Sequence, residues 1–123
     1  MAKKILVVDD DPTIIKTVSV KLAEAGFQVL TASDGLDAIN SARKERPDLI
    51  ILDVMMPELN GYDVCRVLKF DKEYKSIPIL LLTARDQELD SLIGEQIGID
   101  YLPKPLNVNA LFGKIDKILG GKG

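Results

Sequence analysis

Leu49-Ile50-Ile51-Leu52 is apolar at every position and ends on Asp53. A strand with one face in water alternates apolar and polar residues. An unbroken run predicts a strand buried on both faces, as at the centre of a parallel sheet covered by helices. Ile5-Leu6-Val7-Val8 and Ile79-Leu80-Leu81-Leu82 have the same character. A carboxylate at the end of such a run is costly unless something pairs it or the strand delivers it to an open edge. Pro57 and Asn60-Gly61 make the chain turn just beyond Asp53, which places that carboxylate at the carboxyl end of a central strand.

The segments between these runs read as helices. Asp11-Pro12 is a helix start, with Ile14, Val18, Leu22 and Ala25 at helical spacing and Gly26 as the stop. Phe27 to Ala32 is a second strand. Asp34-Gly35 turns into a helix with Leu36, Ile39 and Ala42 inward, ended by Arg46-Pro47. A third helix runs from about Gly61 to Asp71, with Val64, Val67 and Leu68 facing the core. Strand four closes on Thr83-Ala84, and a fourth helix carries Leu89, Ile93 and Ile97 up to Gly98. Asp100-Tyr101-Leu102 is a short fifth strand, and Asn107 caps a last helix with Leu111, Ile115 and Ile118 on its core face. Five successive strand–helix units predict one α/β domain over 1–123: a doubly wound parallel sheet with helices on both faces, with 120–123 as a flexible tail.

Composition excludes several classes. At 123 residues the chain makes one domain with a real core. A net charge of −3 gives no support to direct nucleic-acid binding. No apolar stretch is long enough for a signal peptide or a membrane span. The single cysteine, Cys65, forms no internal disulfide, which fits a cytoplasmic protein. With no histidine, a Ser-His-Asp triad and a histidine zinc site are excluded.

In a doubly wound sheet, ligands sit beyond the carboxyl ends of the strands, where strand order reverses. Strand one delivers Asp9 and Asp10 there, strand three Asp53, strand four Thr83 and strand five Lys104, while Ala32-Ser33 at the end of strand two offers little. Each has a blander role when taken singly: an acidic turn, a strand-end hydroxyl, a surface lysine. Cys65 reads as a small helix residue and Tyr101 as an edge-strand aromatic. Their convergence on one edge is the signal. Three carboxylates together need protonation or a cation, and an all-oxygen set selects a hard ion such as Mg²⁺. An Asp beside that ion, with a hydroxyl and an ammonium able to hold phosphoryl oxygens, is equipped to accept a phosphoryl group.

Four stretches in order, Ile5 to Pro12, Leu49 to Pro57, Pro78 to Ala84 and Gly98 to Pro105, give the chain a resemblance to the receiver domain of two-component response regulators. The resemblance implies the CheY-like, flavodoxin-like three-layer sandwich with strand order 2-1-3-4-5. It implies that Asp53 is the phospho-acceptor. Asp10, Asp53 and the backbone carbonyl of Met55 would hold Mg²⁺ or Mn²⁺, with Asp9 assisting through water. Thr83 and Lys104 match the family's hydroxyl and lysine, Thr83 and Tyr101 its switch pair, and Lys104-Pro105 its cis peptide. The implied partner is a sensor histidine kinase or histidine phosphotransfer protein. Output passes through the surface of the fourth helix, fifth strand and fifth helix to an effector or a covalent output domain, with phosphorylation-dependent homodimerisation possible there. Asp86, Glu88, Asp90 and Glu95 make the fourth helix acidic, opposite Lys114 and Lys117 on the last; these are solvated faces or a partner surface.

Two other classes compete. An Asp-nucleophile phosphatase needs a second acid two residues on, where this chain has Met55. A flavin-binding electron carrier needs a phosphate-holding loop after strand one, and Asp9-Asp10-Asp11 would repel a phosphate. With neither a second catalytic acid nor a histidine, Asp53 reads as a group that receives and holds a phosphoryl, not an enzyme turning over a substrate.

Overall fold

The computed structural model describes residues 2–56, 59–83, 99–104 and 107–120, with the Thr83 side chain excepted. Five parallel strands, β1 (Lys4–Val8), β2 (Gln28–Ala32), β3 (Leu49–Asp53), β4 (Ile79–Thr83) and β5 (Ile99–Pro103), form one sheet in the order β2-β1-β3-β4-β5. The register runs Val8↔Leu52 between β1 and β3 and Asp53↔Leu82 between β3 and β4. The helices are α1 (Pro12–Glu24), α2 (Gly35–Glu45), α3 (Gly61–Lys69) and a C-terminal helix (Val108–Ile118). The expected fourth helix and residues 121–123 of the expected 120–123 tail lie outside the described residues.

The three central strands are apolar along their middles because both their faces are covered. Ile5 to Val8, Leu49 to Leu52 and Leu80 to Leu82 are all 0% exposed. Alternate residues enter two cores: Leu6, Val8, Ile50, Leu52 and Leu81 join α2 and α3, whereas Ile5, Val7, Leu49, Ile51, Leu80 and Leu82 join α1 and the C-terminal helix. Each such side chain contributes about 1.5–3 kcal/mol relative to exposure. The edge strands are mixed, and Pro103 sits at the exposed end of β5, where a missing ladder donor is tolerated.

The helix boundaries follow local chemistry. Asp11 caps α1 by accepting from Thr13 N, with Pro12 in the first turn, and Asp34 and Asn107 cap their helices in the same way. Gly26, at φ 98°, ends α1: its N–H donates to Ala23 O at 3.0 Å and that of Phe27 to Leu22 O at 3.1 Å, both bonds of a Schellman motif.

Two inward assignments are corrected, and one helix end moves by a residue. Leu36 is 64% exposed and Val67 37%, and Ala25 is the exposed C-cap of α1. The buried stripes are Gly35, Ala38, Ile39, Ala42 in α2 and Gly61, Val64, Cys65, Leu68 in α3. Both follow i, i+3, i+4, i+7, and both begin on a glycine, which a count of large apolar residues passes over. These glycines are buried because backbone lies against them. A Cβ on Gly35 would run into the carbonyl of Leu59, and one on Gly61 would lie 2.5 Å from the carbonyl oxygen of Asp53 and 2.8 Å from Val54 Cα.

Gly61→Ala is expected to lose about 1–3 kcal/mol of stability in urea titration, because the atom it meets is backbone and not a movable side-chain tip. Burial pushes the Cys65 thiol up to about 11, with Lys69 and Arg66 only partly offsetting it. The folded state therefore holds that proton more tightly than the unfolded chain, and stability should fall as pH rises from about 9 toward 11. A thiol reagent at pH 8 should label Cys65 only at the rate of opening, as a time course against the urea-unfolded protein would show.

Candidate functional site

Strand order reverses between β1 and β3, so their connections leave on opposite faces and open a crevice at the carboxyl edge. β1 runs into Asp9 there, and β3 ends on Asp53. Asp9 stays in the sheet through its N–H, which donates to Ala32 O at 3.2 Å. Beyond Asp53 the chain turns back at once. Met55 N donates to Asp53 Oδ1 at 3.3 Å, and Gly61 N to Val54 O at 3.0 Å. A capping box between Asn60 and Asp63 then starts α3. The close approach of Gly61 to the Asp53 backbone lets α3 begin directly against the end of β3.

Asp9 and Asp53 are buried, 1% and 3% exposed, while Asp10 is exposed. One carboxylate oxygen from each of the three lies within 4.8 Å of the others. Lys104, just past β5, places Nζ 3.2 Å from Asp53 Oδ1 and 3.6 Å from Asp9 Oδ2. Asp9 Oδ1 accepts from Asp11 N at 2.9 Å, but Asp9 Oδ2 is buried without a hydrogen bond. Two carboxylates about 4 Å apart repel by roughly 4 kcal/mol at an effective dielectric near 20. Three against one ammonium leave two negative charges uncompensated among the described residues.

The titration of both partners reflects this crowding. Burial pushes the Asp9 carboxyl above the usual range; Asp53 and Asp10 push the same way, while the Asp11 N–H and Lys104 pull it back. For Lys104, burial draws the ammonium down, but Asp53 and Asp9 more than offset it and hold it above the ordinary lysine value. A buried carboxylate oxygen met only by an ammonium at 3.6 Å, two carboxylates beside it and an all-oxygen donor set fit a hard divalent cation such as Mg²⁺ or Mn²⁺.

Asp9, Asp10, Asp53 and Lys104 thus come together as the sequence predicts. The Met55 backbone follows Asp53 into the site, and its side chain is 68% exposed. Thr83 ends β4 in register with Pro103, but its side chain lies outside the described residues, as does Pro105 and so the expected cis peptide. Tyr101 is half-buried on β5 and packs against the α2/α3 core. Two features were not foreseen. An open groove of about 410 Å³ adjoins Asp9 and Asp10, lined by Pro12, Ile15 and Lys16 of α1 and by Thr31 and Ser33, so the end of β2 contributes more than expected. The Asp100 carboxylate accepts from both Tyr101 N at 2.8 Å and Lys114 Nζ at 3.0 Å. Neither has a sequence signature, since hydroxyls at an edge and a lysine on a helix are ordinary.

Residues 5–116 match the response regulator receiver domain family. The alkaline phosphatase synthesis transcriptional regulatory protein PhoP of Bacillus subtilis is 44% identical over 97% of this chain, which spans 49% of that protein. The protein PilH of Pseudomonas aeruginosa is 40% identical, with 96% of this chain and 98% of that protein covered. The chain therefore spans about half the length of some curated relatives and nearly all of another. The structure of the Vibrio cholerae chemotaxis protein CheY4 superposes with a TM-score of 0.88 at 36% identity, over 97% of this chain and 100% of that one. No helix of the described residues is long and apolar enough to cross a membrane. The family match covers both the sheet and the carboxylate edge, and the chain belongs to the response regulator receiver domain family.

Proposed function

We propose that Asp53 accepts a phosphoryl group from a phosphohistidine on a separate histidine kinase or phosphotransfer protein. The observation that carries this reading is a buried carboxylate at the sheet edge, with an ammonium 3.2 Å away and two further carboxylates beside it. An Asp53 oxygen forms the new bond to phosphorus as the phosphorus–nitrogen bond to the donor imidazole breaks, and the imidazole leaves with the electron pair. Lys104 neutralises one phosphoryl oxygen, and the Thr83 hydroxyl is assigned to another. Asp10, Asp53 and the Met55 carbonyl would hold Mg²⁺ or Mn²⁺, with Asp9 behind them; the bound ion supplies charge neutralisation between carboxylates and phosphoryl oxygens. The groove beside Asp9 and Asp10 leaves the edge open to an approaching donor.

Response regulators act on effector output domains. In this chain, the phosphoryl group draws Thr83 toward Asp53, and Tyr101 turns into the space released. Those contacts favour one of two conformations of the surface around β5 and the C-terminal helix. A phosphatase reading has less support, because Met55 occupies the position of the second acid.

With a small-molecule phosphodonor and Mg²⁺, intact mass should rise by one phosphoryl group, and Asp53→Asn should show no increase. Modification that persists in that variant would refute the assignment. Without any donor, Mg²⁺ at a hundredfold excess over its dissociation constant should stabilise the protein by about 2.7 kcal/mol in urea titration. Asp10→Asn should remove most of that gain, and sodium chloride of equal ionic strength should not reproduce it. An equal response from Asp10→Asn would displace the cation from this cluster.

A further inference from the structure

Asp100 and Tyr101 are neighbours on β5, an edge strand, and their side chains leave it on opposite sides. Tyr101 packs on the α2/α3 core, whereas Asp100 meets Lys114 of the C-terminal helix, on the other face of the sheet. The Lys114 ammonium is 3.0 Å from Asp100 Oδ1 and 5.7 Å from the centroid of the Tyr101 ring. The same Asp100 oxygen accepts from the Tyr101 N–H. One cation at the β5 edge is therefore bonded to a group on one face and lies near a ring on the other. It is anchored by the carboxylate and lies within cation–π range of the aromatic ring.

We propose that Lys114 is a positioning residue for Tyr101: pinned by Asp100, it favours the ring orientation seen here and sets the starting balance of the switch. This rests on Tyr101 being the switch aromatic of the proposed function. Turning the ring away surrenders the cation–π contact but leaves the Lys114–Asp100 pair intact, so the lysine biases one state without locking it. A contact of this strength shifts a two-state population about two- to fivefold. Strand edge and helix are joined at this point, so a turn of Tyr101 is felt at the surface of the C-terminal helix.

The chain has three tyrosines, so uniform 3-fluorotyrosine labelling gives three fluorine signals, with that of Tyr101 assigned from Tyr101→Phe. In Lys114→Met the Tyr101 signal should move toward the second orientation, with a two- to fivefold population change and the other two signals unmoved. Lys114→Arg, which keeps the charge, should restore it, and Asp100→Asn should shift it the same way without adding to Lys114→Met. A Tyr101 signal unchanged in Lys114→Met, or an Arg variant indistinguishable from Met, would overturn the proposal. Thermal melts of each variant confirm that the comparison is between folded proteins, and Lys114→Gln replaces Met should the latter unfold. Intact mass after phosphodonor treatment is read on the same samples. Loss of phosphorylation at Asp53 in the wild type sinks the proposed function, while the fluorine comparison in untreated protein still decides the role of Lys114.

Discussion

Asp9 and Asp53 lie side by side under the carboxyl edge of the sheet, and one ammonium, that of Lys104, faces both. Both carboxylates are largely buried, so water screens their repulsion less than it would at the surface, and one ammonium neutralises it only in part. Such a pair persists only where the surrounding structure fixes it. The fixing comes from below: β1 and β3 are adjacent, buried from Ile5 to Val8 and from Leu49 to Asp53, and held in register, so the residues that end them cannot move apart. The sheet centre tolerates the charge because its own stability comes from apolar burial on two faces and does not depend on that edge.

Beyond the strands, close packing of backbone on backbone completes the arrangement. Gly35 and Gly61 open α2 and α3 and let both helices start against the chain that follows β3. A side chain at Gly61 would meet the Asp53 carbonyl itself, so the start of α3 and the placement of Asp53 are one geometric problem. The same loop returns a main-chain N–H to Asp53 through Met55. Carboxylate orientation is thus shared between a charge partner just past β5 and hydrogen bonding from its own loop.

Most of this could be read from residue types. Runs apolar at every position mark central strands, because burial on both faces leaves no place for alternation, and Asp9, Asp10, Asp53 and Lys104 stand out because charge sits where those runs stop. Strand order came from resemblance, since periodicity fixes which strands are central but not their neighbours. Leu36 and Val67 were misplaced because glycine contributes nothing to an apolar count while filling a core position by contact with backbone. The Lys114–Asp100 pair was illegible for another reason: residues 14 apart on a helix and a strand meet only through tertiary packing, and long lysine stems reach many places.

The proposed function assigns charge change to the middle of the sheet and response to its edge, and the burial pattern gives that division a physical basis. β3 and β4 are paired on both sides and packed on both faces, so they cannot shift without opening the core. β5 pairs with β4 alone, and it carries Tyr101, half-buried, and leads to Lys104 at the carboxylates. A phosphoryl group on Asp53 would alter what Lys104 faces, and the strand connected to that lysine is the one free to answer. Tyr101 lies three residues upstream on the same strand, with its ring against the core and an ammonium of the C-terminal helix over it. Under the proposed function, reception at a strand with two neighbours and response at a strand with one would both follow from this single sheet, because an edge strand has fewer bonds to break.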